Sequence, residues 1–474
     1  MIRSTMSLQS AYQSRKKDIG LIILAFIILI IFYLIPSPEG LPVKGKLMIG
    51  ILLFAAVLWM TEPIPLAVTS LLIMILQPFL GILPAKDVFA SFGNEAVFFL
   101  IGAFIIAGAV EKYGLNRRMA LSFLKRFENS PSLFTLGIMI SCATLSFIMP
   151  EHGVAALFLP IITSILLAMK IIPRQSNFGK ISMLAVAYGC SIGSLGTLIG
   201  GARNPLTISV LADIGITVSF VDWMIYSMPV VFISLPLVWL ILRFAYPIEL
   251  QDITLAKNEI KNQVAQQGTI GRQELIIAAV LVFTILLWVL FSNHIYFGLA
   301  AIAILGSSIL FLTGTLTWKD VEKKVPWGLI LLYGGAITLG NGMQQTGAGN
   351  WIAHSMFQAT QSNIYLVILG LIIFTILLTN VMSNTGAVAV LLPIGFAIAY
   401  EIPGISPLLS AMIIALSGGL AFMLIIATPG NAITYSSGYF STKDLFKAGG
   451  IANFVCIIIL FIIAIVYWQG YLGL

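Results

Sequence analysis

Apolar residues run through this chain in long blocks, and the interruptions between blocks are short and polar. Ile364–Leu378, 15 residues, is followed by Thr379-Asn380 and Ser383-Asn384-Thr385-Gly386, and then by Ala387–Ala399, 13 residues. A helix needs about 20 residues to cross a hydrocarbon core. Two shorter runs around a polar tip therefore predict a re-entrant hairpin, which enters the membrane and turns back. Irregular backbone at that depth persists only where protein buries it or a cavity wets it, and helix ends beside small hydroxyl and amide side chains make an ion or anion site. Leu133–Met149 and Val154–Met169 repeat the pattern around Pro150-Glu151-His152-Gly153.

The remaining blocks predict spans at 19–36, 46–60, 64–82, 94–111, 224–246, 275–292, 295–313, 326–343 and 449–470. Two further spans are broken. That at 181–212 is interrupted by Ser191-Ile192-Gly193-Ser194-Leu195-Gly196-Thr197-Leu198-Ile199-Gly200-Gly201-Ala202-Arg203-Asn204-Pro205, and that at 407–440 by Ala427-Thr428-Pro429-Gly430-Asn431-Ala432; glycine and proline at these densities break helices. The expected fold is all-α and polytopic, with about 11 transmembrane helices plus two re-entrant hairpins.

The two halves repeat. At an offset of 233 positions Gly81, Leu83, Lys86, Asp87 and Val88 fall on Gly314, Leu316, Lys319, Asp320 and Val321. At the same offset Gly102, Gly114, Gly153, Ala156 and Pro160 fall on Gly335, Gly347, Gly386, Ala389 and Pro393; beyond the hairpins an offset of 227 places Asn204 on Asn431. The chain divides into an N-terminal span (1–45), a first repeat (46–246, hairpin about 132–169, broken helix about 181–212), a polar linker (247–273) and a second repeat (274–474, hairpin about 363–400, broken helix about 407–440).

Composition agrees: 59% hydrophobic, 9% charged and a mean hydropathy of +1.04 exclude a soluble domain. Arg15-Lys16-Lys17 before Ile19–Ile35 reads as a signal anchor. The net charge of +7 reflects topology rather than nucleic-acid binding. Four Lys or Arg lie in 113–126, three in 170–180 and three in 247–273, whereas 344–406 has none. With the N-terminus cytoplasmic, the positive-inside rule puts the C-terminus outside and makes the repeats inverted, apart from Lys44, Lys46 and Lys86. Inverted repeats with paired hairpins and paired broken helices belong to secondary transporters, not channels. Glu111–Ser130, with Arg117, Arg118, Lys125 and Arg126 among apolar residues, predicts an interfacial helix. Cys142, Cys190 and Cys456 sit in apolar runs as packing residues. Glu62, Asn94 and Glu95 read as structural groups at helix ends.

Trp59-Met60-Thr61-Glu62-Pro63-Ile64-Pro65, the Ser191–Gly200 segment, Ser383-Asn384-Thr385 and Thr428-Pro429-Gly430-Asn431-Ala432 together resemble the divalent anion:sodium symporter family, the INDY-type dicarboxylate, citrate and sulfate carriers. The resemblance covers nearly the whole chain. It implies a homodimer in the cell membrane, an elevator motion, small dicarboxylate substrates and no cofactor. It also implies a Ser-Asn-Thr sequence at each tip, whose serine and asparagine help hold sodium while asparagine and threonine touch substrate. On that pattern Ser383, Asn384, Thr385, Thr428, Pro429, His152, Glu151 and Gly153 are the substrate-facing positions, and Thr379, Ser383, Asn384 and Ala427 form a residual cation site.

The chain departs from the pattern at the first tip. Pro150-Glu151-His152 stands where Ser-Asn-Thr belongs, and Arg203 appears in the partner loop. A dianion in a low-dielectric core needs compensating positive charge, and a fixed guanidinium can supply it in place of sodium. Burying a charged side chain near the bilayer centre costs about 2.5–3.5 kcal/mol on insertion scales, so Glu151, His152 and Arg203 need a partner or a task. Arg203 or His152 replacing sodium, a purely structural Glu151–Arg203 pair, and a Glu151–His152 proton relay are the three expectations. The first makes the protein a sodium-independent dicarboxylate exchanger. A sodium- or proton-coupled symporter is the alternative, and an intramembrane hydrolase using Ser383, His152 and Glu151 a remote one. No metal-binding signature such as His-Glu-x-x-His occurs in the sequence.

If the second tip binds substrate, Asn384→Ala and Thr385→Ala should each lower dicarboxylate uptake into reconstituted vesicles by about tenfold or more, as expected when a buried polar contact loses its partner, while the protein stays folded. Unchanged uptake by both variants would remove that tip from the site.

Overall fold

In a computed structural model the chain is described at residues 2–292, 294, 296–359 and 363–474, with side chains from Lys17 onward except those of 353 and 355–359. Arg15 and Lys16, on which the expected orientation partly rests, lie outside the described side chains. The described residues are helical throughout, and nine of their helices are long and apolar enough to cross a membrane. The N-terminal helix Ile2–Leu34 leaves Ile19, Ile23, Ile27, Ile30 and Tyr33 exposed, as a lipid-facing helix does. Its end is tied down by buried Lys46, which donates to the carbonyls of Tyr33 (3.3 Å) and Ile35 (2.5 Å).

Helix starts follow local chemistry. Ser219 with Asp222 and Ser441 with Asp444 form reciprocal capping boxes, and Asp320 accepts from both the N–H and the hydroxyl of Thr317. Ser130 caps Pro131–Leu145, with proline at the first helical position. Lys112 and Thr317 hold the Asp320 carboxyl well below the usual carboxylate range. Glu95 caps a neighbour rather than its own helix, accepting the Ala300 N–H at 3.0 Å beside the start of Gly298–Leu312.

The 233-residue offset reappears in the elements. Leu66–Phe79, Ala85–Ala90, Glu95–Lys112 and Leu115–Leu124 recur as Gly298–Leu312, Trp318–Lys324, Trp327–Gln345 and Ala348–Ala359. The hairpin arms Pro131–Leu145 and Glu151–Ala168 recur as Ile364–Val381 and Asn384–Glu401, the second arms 233 positions apart at both ends. Gly81 and Gly314 share a left-handed backbone (φ 67° and 68°), as do Gly114 and Gly347 (φ 74° and 70°). Two helices differ from expectation. Ala348–Ala359, the counterpart of Leu115–Leu124, carries no Lys or Arg and so lacked a sequence signal. Thr254–Gln266 turns the middle of the polar linker into a helix.

Two compact units are present: Met1–Asn94 with Trp327–Ile364 and Ala389–Ser410, and Glu95–Pro326 with Tyr365–Val388 and Ala411–Leu474. Each draws on both halves of the sequence. Within the first, Leu66–Phe79 packs on Trp327–Gln345, and a Cβ at Gly335 would stand 2.5 Å from Ser70 Cβ. Within the second, Glu95–Lys112 packs on Gly298–Leu312, and a Cβ at Gly102 would stand 2.6 Å from the Ala303 carbonyl carbon. Gly102 and Gly335 occupy equivalent positions, as do Ser70 and Ala303, so each half supplies the helix that packs on the other's. Both hairpin tips, the first broken helix and the second from Ala411 onward belong to the second unit.

Gly102→Leu and Gly335→Leu should each overpack a helix pair and destabilise by about 1–3 kcal/mol or more, read as a lower melting temperature in detergent. Gly370→Leu, with nothing within 4 Å of its added Cβ, should leave melting unchanged. Equal melting of all three would contradict the close packing.

Candidate functional site

Both broken helices lose their backbone ladder in mid-course, and one asparagine replaces it in each. The first runs as Asn177–Gly193 and Arg203–Asp213. Between them Asn204 Nδ2 donates to the carbonyls of Ser194 (2.8 Å) and Thr197 (2.6 Å). The second runs as Pro407–Ser417 and Pro429–Tyr435. There Asn431 Nδ2 donates to the carbonyls of Ala421 (3.0 Å) and Leu424 (2.9 Å). Donors and acceptors are all related by the 227-residue offset. Satisfying those carbonyls lets the loops exist without bulk water.

The first tip docks on its loop through the Glu151 N–H, which donates to the Gly200 carbonyl at 3.1 Å. Arg203, 1% exposed, opens the second segment of the broken helix. Its Nη2 donates to Ser194 Oγ at 2.7 Å, and Ser194 Oγ donates to Glu151 Oε2 at 2.8 Å. The direct Nη1–Oε2 separation is 3.9 Å. Ser194, whose single hydroxyl proton is shared between Glu151 and the Ser191 carbonyl (2.7 Å), therefore bridges a buried ion pair, supplying hydrogen bonds that such a pair needs to offset its desolvation. The guanidinium also lies flat against glycine. A Cβ at Gly419, in the second broken helix's loop, would stand 2.2 Å from Nη2, and one at Gly201 would stand 2.7 Å from Nη1. Arg203 is thus clamped between the two loops. The position related to it in the second half is Gly430, so this charge has no counterpart there.

The second tip is built differently. Thr379 Oγ1 lies 2.7 Å from both Asn384 Oδ1 and the Gly418 carbonyl. Three oxygens thus converge with a single hydroxyl proton among them, a donor-poor set of the kind that suits a cation. Asn380 braces the tip, accepting the Met423 N–H at 2.8 Å and donating to the Ile376 carbonyl. Ser383 Oγ accepts the Gly386 N–H at 3.3 Å. Thr428 Oγ1 accepts the Asn431 N–H at 3.0 Å as the cap of Pro429–Tyr435.

Exposure separates the sequence-derived site residues into two groups. Glu151, Arg203, Thr379, Asn384, Ala427 and Thr428 are buried. His152, Gly153, Ser383 and Thr385 are half-buried and Pro429 is exposed. His152 and Thr385, at equivalent positions of the two tips, are thus more open than the Glu151 and Asn384 that precede them. His152 and Gly153 line a cavity of about 800 Å³ within the second unit. The residues proposed for a hydrolase are otherwise engaged: Ser383 Oγ takes a backbone N–H, and the Glu151 carboxylate goes to Ser194 and Arg203. Sequence reasoning missed Ser194, Gly418 and Gly419. Only Ser194 carried a signal, nine residues before Arg203 and matched by Ala421 in the second half.

Two solved structures share the architecture. Neisseria gonorrhoeae MtrF superposes with a TM-score of 0.57 at 12% identity, covering 96% of this chain and 94% of that one. Alcanivorax borkumensis YdaH gives 0.56 at 12% identity, covering 91% and 99%. At that identity the likeness concerns the fold. Residues 15–474 match the family described as the sodium:sulfate symporter transmembrane region. The chain belongs to this divalent anion:sodium symporter family. Curated relatives include the sodium-dependent dicarboxylate transporter SdcS of Staphylococcus aureus strain USA300, 31% identical over 95% of this chain and 90% of that protein. The protein of the same name from Staphylococcus saprophyticus is 29% identical over 94% and 90%. Members of the symporter family are membrane transporters, which leaves no place for the hydrolase reading.

Gly419→Ala should displace the guanidinium, and Ser194→Ala should remove its bridge, a hydrogen bond to a charged group worth about 1.5–3 kcal/mol. Both variants should melt lower and bind substrate more weakly than wild type. Gly450→Ala, whose Cβ meets nothing within 4 Å, should do neither. Wild-type melting and binding in both site variants would contradict the clamp.

Proposed function

We propose that this symporter-family member carries small C4 and C5 dicarboxylates (the succinate, malate, fumarate and 2-oxoglutarate class) across the plasma membrane by sodium-independent anion exchange. The observation that carries this reading is Arg203: a sealed guanidinium at the first tip, where Pro150 and Glu151 replace the serine and asparagine of a sodium site. Kinship with dicarboxylate transporters supports the substrate class. His152, Gly153, Ser383, Thr385 and Pro429 are the more open positions that face substrate, backed by Glu151, Asn384 and Thr428.

Charge drives the cycle. In the empty carrier Glu151 neutralises Arg203 through Ser194. An arriving dianion competes for the same donors, and His152 on the open side is placed to share its charge. Substrate thus exchanges one carboxylate for another at Arg203, and no cation has to be released into the cell. The inverted repeats, an elevator motion of the tips, a homodimeric assembly and a cytoplasmic N-terminus complete the proposal, supported by the pseudo-symmetric elements and the basic loops. A second reading, coupling to one sodium ion, is favoured by the Thr379–Asn384–Gly418 oxygens, with Ser383 and Ala427 beside them.

The test replaces external sodium with potassium or choline around vesicles that contain or lack dicarboxylate. Uptake should persist without sodium and should rise about tenfold or more with dicarboxylate inside, since the empty core has to carry the Glu151–Arg203 ion pair across without substrate, and burying even paired charges costs several kcal/mol per ion. Uptake that collapses without sodium would refute the exchanger and support the single-sodium reading. Uptake driven by an imposed pH gradient would instead favour a Glu151–His152 proton route.

A further inference from the structure

The 800 Å³ cavity has a wall that the carrier reading does not use. That wall is the linker helix Thr254–Gln266, packed on the second arm of the first hairpin and on Leu115–Leu124. Glu259, Gln263 and Gln266, at i, i+4 and i+7 and hence on one helix face, all line the cavity that reaches His152 and Gly153. A helix that merely sealed the linker would bury an apolar stripe and send its polar groups to bulk water. Here Ala256 and Ile260 are fully buried, yet Gln263 is also 4% exposed with its Oε1 unpartnered by protein. The cavity is also lined by Glu111, Asn116, Arg117 and His152, and a space of that size among so many polar groups is wet. A polar helix face on a wet cavity running to a hairpin tip is the wall of a permeation path.

The two ends of this helix are held unequally. Beyond its C-terminus, Arg118 donates to the carbonyls of Gln267 (3.2 Å), Gly268 (3.1 Å) and Thr269 (3.4 Å), and grips both carboxylate oxygens of Glu274 at 3.2 Å. Gly268 sits there in the left-handed region (φ 64°). Before the N-terminus the chain is anchored at Pro247, whose carbonyl accepts from Asn177 (3.0 Å), and at Glu249, which accepts the Phe178 N–H (3.2 Å), while the helix itself is tied side chain to side chain. Ser164 Oγ, on the hairpin arm, donates to Glu259 Oε1 at 2.6 Å, and Lys257 pairs with Glu128 at 3.4 Å. Gln263 Nε2 donates to the same Glu259 oxygen at 2.9 Å. Ser164 foremost and Gln263 next hold the Glu259 carboxyl below its usual range, against the opposing effect of burial. One end is a multidentate clamp and the other a latch.

We propose that the linker helix is a door on the transport path, swinging about the Arg118 clamp and latched by Ser164–Glu259, which admits the hydrated dicarboxylate to the cavity below His152. The door rests on the carrier reading for its substrate, but not for its motion. Cysteines are introduced as Ser164→Cys with Glu259→Cys and joined by a short bis-methanethiosulfonate reagent; native Cys142, Cys190 and Cys456 are buried. Cross-linking should lower dicarboxylate flux about tenfold or more, as for other gating elements, with recovery on reduction and no effect of the reagent on either single variant. A cross-linked protein that transports at the uncross-linked rate would overturn the door.

Labelling gives a readout independent of flux and of sodium. Ala156→Cys places a thiol at an exposed position in the cavity wall. Adding Ser164→Ala or Glu259→Gln should speed its reaction with a membrane-impermeant thiol reagent about threefold or more, because releasing a latch raises the open population. An unchanged labelling rate in both would also overturn the proposal. If wild type moves no dicarboxylate under any condition, the carrier reading fails while labelling still decides the door.

Discussion

A guanidinium sealed away from water has to be neutralised, and the geometry around Arg203 follows from that requirement. An ion pair at this depth is stable only when its remaining donors and acceptors are also satisfied. Ser194 does this by standing between Arg203 and Glu151. Glycines at 201 and 419 do it sterically, because a side chain at either would displace the planar group. Removing any one of these leaves a buried charge poorly compensated, which is far more destabilising than losing an exposed contact.

The pair sits within a pseudo-symmetric frame whose symmetry is tight where structure demands it and broken where chemistry differs. Asn204 and Asn431 make the same two bonds to equivalent carbonyls, because both loops face the same problem of unsatisfied backbone. Gly102 and Gly335 allow the same close approach in separate units. The tips, by contrast, diverge. One holds a carboxylate–hydroxyl–guanidinium chain, the other a knot of oxygens around Thr379. Fixed positive charge on one side and a cation-ready set on the other make the two halves of the site electrostatically unlike.

Much of this was legible in the sequence. Apolar runs broken at Asn380 to Gly386 and at Pro150 to Gly153 predict the paired arms, but not their length: Glu151–Ala168, Ile364–Val381 and Asn384–Glu401 are helices long enough to cross a membrane, because helix continues past the apolar runs into the polar residues at the tips. The repeat was legible because glycine with a left-handed backbone, as at Gly81, Gly114, Gly314 and Gly347, tolerates few replacements. Glu151 and Arg203 stood out because charge is rare at such depth. Ser194 and Gly419 did not, since a serine and a glycine within Ser/Gly-rich segments look alike until the fold sets a guanidinium against them. The linker helix was hidden for a different reason: its polar face lines a half-open cavity, so its pattern reads as that of a solvated segment.

Arg203 as the built-in substitute for a sodium ion is the centre of this account, and equilibrium binding tests it most directly. Calorimetric titration of purified protein with succinate in sodium-free buffer should show saturable binding, and Arg203→Gln should weaken it about a hundredfold, within the range for truncating a buried charge partner. Sodium should change the wild-type affinity little. Binding that appears only when sodium is added, or that survives intact in Arg203→Gln, would contradict it.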